Sequence, residues 1–150
     1  MNSTSKKPPI KRLRVRVGML VILFGFFLFA LGAKPEYFGL DRSPVIGFVQ
    51  IAVFLTGLGF MCVGGYAVLD GMWNGTSKTI VSDIGLRLVS TGFVIAVACG
   101  MADIFGIGSE ISPMVPNFGR WQMIGVLIGE IIIAIGFIML IPFRSSPQEN

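Results

Sequence analysis

Few side chains in this sequence are placed where they could do chemistry, and the most unusual is Glu130. It interrupts the apolar run from Trp121 to Phe143 near its middle. A run of that length can cross a bilayer, and a carboxylate at its centre costs a few kcal/mol or more unless it is protonated or paired. Two readings follow. Glu130 binds a proton or cation at mid-membrane, or it ties helices or subunits together by hydrogen bonding. Projected at about 100° per residue, Gln122, Gly125, Gly129 and Gly136 form one stripe of this helix. Glu130 falls about 110° round from that stripe, among Met123, Val126, Ala134 and Phe137. The stripe is suited to gripping a neighbouring helix, which leaves Glu130 pointing into an adjacent gap.

Arg87 is the nearest counter-charge, at a depth differing from that of Glu130 by about 11 Å. Its closer partner is Asp83, one turn earlier in the favourable acid-before-base order. Asp70 lies at the facing end of the preceding span, so Asp70, Asp83 and Arg87 are expected to form a cytoplasmic charge cluster. Gln50, Ser90 and Thr91 can hydrogen-bond across helices or line a path to Glu130. Asp103 and Arg120 stand at either end of one loop and are expected to pair at the outer surface.

Other chemistries lack their residues. With His 0 in the composition there is no imidazole ligand or base. Cys62 and Cys99 fall at depths that differ by about 15 Å, too far for a disulfide or a thiolate cluster, and read as small packing residues. No phosphate loop or dinucleotide fingerprint is present, because the glycines lie within apolar runs or at turns. No metal, cofactor or enzymatic activity is expected.

The elements that position these residues are membrane spans. The chain of 150 residues is 53% hydrophobic and only 13% charged, against about a quarter charged in ordinary soluble domains. Four apolar stretches stand out, at about 17–33, 43–69, 84–105 and 121–143. The fold expected is an all-α membrane protein, an antiparallel four-helix transmembrane bundle over 17–143, with a basic tail over 1–16 and a short polar tail over 144–150. Pro8-Pro9 is expected to break any early helix and leave 1–16 a short flexible tail, and Ser82 or Asp83 to cap the third span. A cleaved signal peptide is the competing reading of the first span, but Gly18, Gly25 and Gly32 make a small-residue stripe that only a packed helix uses. Gly57 and Gly64 continue the theme in the second span, as do Gly92, Ala96 and Gly100 in the third.

The net charge of +4 has a local cause: Lys6, Lys7, Lys11, Arg12, Arg14 and Arg16 supply half of the 12 basic residues. Set before an apolar span, this block reads as a topology signal and a contact for anionic lipid headgroups, not as a nucleic-acid surface. Lys78, Arg87 and Arg144 add to the same side, and Lys34, Arg42 and Arg120 to the other, so both termini are expected in the cytoplasm and the protein in the cell (inner) membrane. The sequons at Asn2 and Asn74 then face the wrong side for glycosylation. A faint echo joins Arg42-x-x-x-Ile46-Gly47 to Arg120-x-x-x-Ile124-Gly125, while the odd-numbered spans align poorly. The favoured function is a non-catalytic accessory or structural subunit that self-associates or joins a larger membrane complex. The alternative is a small transporter or channel built around Glu130.

Overall fold

The computed structural model describes residues 9–39, 47–73, 78–106 and 119–142. Four α-helices account for most of them: α1 (Pro9–Ala33), α2 (Phe48–Met72), α3 (Ile80–Gly100) and α4 (Arg120–Leu140), with no strand among the described residues. Each is long and apolar enough to cross a membrane.

The helix ends depart from the expected bounds for local reasons. The basic segment is helical from Pro9 onward. Proline at a first helical position loses only an N–H that has no partner there, and the Lys, Arg and Leu that follow are good helix formers. A 3-10 turn (Pro35–Phe38) follows α1 and closes on Gly39, whose φ of 65° suits glycine. α2 starts at the N-cap Gly47, later than expected, and runs past Asp70 to Met72. Arg42 lies outside the described residues. α3 begins earlier than expected, because Thr79 rather than Ser82 or Asp83 is the cap: its hydroxyl accepts from the Ser82 N–H. That leaves Asp83 in the first turn, where its charge suits the helix N-terminus. α3 stops at Gly100, short of Phe105, in a series of turns ending at Gly106. In α4 the Gln122 Oε1 accepts from the Gly119 N–H at 2.8 Å, and the helix stops before Pro142.

The helices associate as two close pairs, α1 with α2 and α3 with α4, while α2 touches α3 and α4 more sparsely. Glycine seams close both pairs. Gly18 meets Gly64, Gly25 meets Gly57 and Gly32 meets Phe54, so the order of contacts reverses between α1 and α2. In the second pair Gly85 meets Gly136 and Gly92 meets Gly129, with the fully buried Ala96 against Gly129. A methyl at Gly92 would stand 2.6 Å from the Gly129 carbonyl oxygen, so backbone rests on backbone here.

The two seams repeat one pattern. Gly47-x-x-Gln50, Gly57 and Gly64 correspond to Gly119-x-x-Gln122, Gly129 and Gly136, and Gly18 and Gly25 correspond to Gly85 and Gly92. This register differs from the one suggested by Arg42 and Arg120, and it brings the odd-numbered helices into line as well. A core of Leu55, Leu58, Cys62, Val89, Ala96, Ile133 and Leu140 joins α2, α3 and α4. α1 adds to it through Phe29, which packs against it half-buried; the buried described positions of α1 are Gly18, Gly25 and Gly32. Leu20, Leu23, Phe24 and Phe26 project outward from α1, each more than half exposed.

Candidate functional site

The seam fixes the orientation of α4, and with it that of Glu130. Gly129 and Gly136 face α3, and Val126 and Ile133 are buried one turn either side. Glu130, next to the seam, turns toward α1 and α2 and lines a cavity of about 250 Å³. α1 contributes Phe29, Gly32 and Ala33 to the wall, α2 contributes Gln50, Ile51, Phe54 and Leu55, and α4 contributes Met123, Val126 and Leu127. The space exists because α1 leans on α2 without comparable contact to α4. Its lining runs from the end of α1 and the starts of α2 and α4 down to Glu130, at the midpoint of α4. Glu130 is half-buried, and no hydrogen bond or ion pair reaches its carboxyl among the described residues.

Of the other residues proposed for a path, only Gln50 shares this cavity. Ser90 and Thr91 donate instead to their own helix, to the carbonyls of Leu86 (3.1 Å) and Arg87 (2.8 Å). Such back-bonding satisfies a hydroxyl within an apolar span. Thr91 is exposed, and Ser90 borders a second, wider groove of about 660 Å³ between α2 and α3, with Thr56, Phe60, Phe93 and Tyr66.

The expected cluster of Asp70, Asp83 and Arg87 divides in two. Arg87 Nε pairs with Asp83 at 3.2 Å, both largely exposed, and does not line the cavity of Glu130. Asp70 receives Arg14 Nη1 at 3.0 Å and Lys78 Nζ at 2.6 Å. Arg14 reaches it because α1 stays helical through the basic segment, and the Gly18–Gly64 contact sets that turn beside the end of α2. Lys78 also donates to Tyr66 Oη at 3.2 Å and lies 5.1 Å from that ring's centroid. The Asp70 hydrogen bond, then that of Tyr66, holds the Lys78 ammonium protonated above the usual lysine range. Arg12 and Arg16 are exposed at the same end, and Lys6 and Lys7 lie outside the described residues.

Asp103 and Arg120 do not pair with each other; Asp103 sits in the turns after α3 and Arg120 is exposed at the start of α4. The described cysteines are both free thiols, Cys62 within the core and Cys99 with its Sγ against Gly125. One fastening was missed at the sequence level. The buried Trp73 indole donates from Nε1 to the Leu140 carbonyl at 3.0 Å, joining the ends of α2 and α4. The available signal was that an indole N–H seeks a partner wherever it is buried.

These features define an all-helical protein, with four helices suited to a membrane and a carboxyl group at the floor of an apolar cavity. Compared with protein-family models, with curated proteins and with solved structures, the chain matches none.

Proposed function

We propose that this is a non-catalytic, multi-pass membrane protein whose working site is the Glu130 cavity, where the carboxyl takes up a proton or a cation. It crosses the cell membrane as an antiparallel four-helix bundle with both termini cytoplasmic. The apolar side chains exposed along every helix support insertion, since soluble monomers rarely show such continuous apolar surface. Arg12, Arg14, Arg16, Lys78 and Arg87 gather at one end, which supports the orientation and contact with anionic headgroups. The observation that carries the functional reading is the Glu130 carboxyl itself, mid-span, facing open space with no protein partner among the described residues. Ionisable groups so placed mark ion and proton pathways. The test is flux into proteoliposomes loaded with a pH-sensitive dye. Glu130→Gln is expected to abolish proton or cation movement while the helical circular dichroism stays unchanged; flux equal to wild type would refute the reading.

A second reading is an accessory subunit that self-associates or joins a larger membrane complex. The observation favouring it is the wide apolar groove between α2 and α3, a seat of the right character for a neighbouring helix. Bulky substitutions at Gly59, in that groove, would then alter crosslinked assembly without touching flux.

A further inference from the structure

The lining of the Glu130 cavity selects among cations. A bare metal ion needs a shell of oxygen ligands, six to eight for calcium and near-octahedral for magnesium. Among the described residues the side-chain oxygens come from Glu130 and Gln50 alone, and no three His, Cys, Asp or Glu side chains gather. The two are also staggered in depth. Leu55 and Ile51 both meet Gly100, and Cys99 meets Gly125, which sets the first turn of α2 at or beyond the level of Gly125, itself roughly 8 Å from Glu130 along α4. One small ion cannot be wrapped by both. The rest of the wall is apolar, and it includes Phe29 and Phe54 with ring centroids 4.6 Å apart. Aromatic faces attract cations that are weakly hydrated, and quaternary ammonium groups above all. Among the described residues no second ionisable side chain lines the cavity, and Lys34, just beyond Ala33, is held over the Tyr37 ring at 5.6 Å.

We propose that the Glu130 cavity binds a monovalent organic cation with an apolar body, of the quaternary-ammonium or amphipathic-amine class, in exchange for one proton. The inference rests on the reading of Glu130 as a proton- or cation-binding group. In the empty cavity the carboxyl keeps its proton, because an isolated charge in apolar surroundings is costly. The cation arrives with its own apolar surface, leaves its charge beside the carboxylate, and releases the proton, so the cavity stays neutral in both states. A volume of about 250 Å³ suits a compact ligand. It equals the bulk of about eight waters at ~30 Å³ each.

The experiment uses protein labelled with carboxyl-carbon-13 glutamate in phosphatidylcholine nanodiscs. Glutamates occur at 36, 110, 130 and 149, and the Glu130 resonance is the one lost in Glu130→Gln. The probes are benzyltrimethylammonium, sodium, and the neutral isostere neopentylbenzene. Benzyltrimethylammonium is expected to move the Glu130 signal saturably from acid to carboxylate, releasing one proton per cation, while neither sodium nor neopentylbenzene does so. Phe54→Leu, which preserves bulk, is expected to weaken the response roughly 3- to 10-fold. If Glu130 titrates with pH or sodium but ignores benzyltrimethylammonium, or if neopentylbenzene competes equally with it, the organic-cation proposal is overturned and the broader reading survives. A Glu130 signal fixed as neutral acid between about pH 5 and 9 with every probe overturns both.

Discussion

If the α3–α4 pair is held by backbone contact, a single methyl should part it. Gly129→Ala is the sharpest test. Its Cβ would lie 2.6 Å from the Gly92 carbonyl oxygen, 2.8 Å from the Ala96 nitrogen and 2.9 Å from the Ala96 Cβ. Ordinary van der Waals contact begins at 3.4 Å, and two of these three atoms are backbone, so the helices must separate by the better part of an ångström. Overpacking of this kind costs about 1–3 kcal/mol. Alanine returns at most about 1 kcal/mol through its higher helix propensity. The net expectation is a loss of about 1–2 kcal/mol, roughly a 5- to 30-fold shift in the unfolding equilibrium. Gly59→Ala is the control: its Cβ would meet only the tip of the Phe93 ring, at 3.2 Å, and that side chain can turn aside. It should be neutral or slightly stabilising. Both are measured by titrating dodecyl sulfate into mixed micelles and following helicity by circular dichroism. Adding Gly92→Ala to Gly129→Ala should cost less than the two separate losses together, because helices already parted by one methyl accommodate the second. A Gly129→Ala protein as stable as wild type, or a Gly59→Ala protein damaged more than it, would refute the seam as the fastening of this pair.

Asp70→Asn should loosen both Arg14 and Lys78, but these pairs are solvent-exposed, and after screening the loss should stay near or below about 1 kcal/mol and shrink further in high salt in the same denaturation assay. Because the folded Lys78 value is raised, its contribution is complete below the unfolded lysine value near ~10.4 and fades as pH rises through the folded one, so the gap between wild type and Lys78→Met should close only in strongly alkaline buffer. Trp73→Phe keeps most of the ring but removes the donor to Leu140, and should lower stability by about 1–2 kcal/mol, read as a lower thermal midpoint. Ser82→Ala removes a buried hydroxyl that has no partner among the described residues while leaving the Thr79 cap on the Ser82 N–H, so it should be neutral or stabilising by up to about 1 kcal/mol.

How far the sequence could be read followed from which constraints were local. The turn angle of an α-helix alone sets Glu130 off the Gly129–Gly136 stripe, and the cavity lies where that angle directs it. The period-seven glycines of α1 were equally plain, since nothing polar interrupts them. Gly85 escaped notice because it sits between Asp83 and Arg87, where charges mask the apolar pattern. The second register is masked for a related reason: Arg42 and Arg120 are easier to match than the Gly-x-x-Gln starts, which show their equivalence only once the partners across each seam are known. Long-range pairing was the least legible. Asp83 and Arg87 are one turn apart, so their pairing is a property of one helix. Asp70 and Arg14 lie on different helices, and their meeting needs both the helical continuation through Pro9–Arg16 and the register of the first seam.

The same seams explain why the candidate site lies where it does. Backbone contact at Gly18–Gly64, Gly25–Gly57, Gly85–Gly136 and Gly92–Gly129 fastens each pair, whereas across the boundary between pairs bulky side chains meet glycines, Phe93 at Gly59, Phe137 at Gly65 and Leu55 at Gly100. Bulky side chains close a boundary less evenly than glycines do, and both the Glu130 cavity and the wide α2–α3 groove open along it. Each pair is therefore stiff within itself and more loosely joined to the other. A proton or cation bound at Glu130, as proposed, would meet walls from α1 and α2 on one side and its own helix on the other, so its binding free energy would act across the more sparsely packed boundary between the pairs.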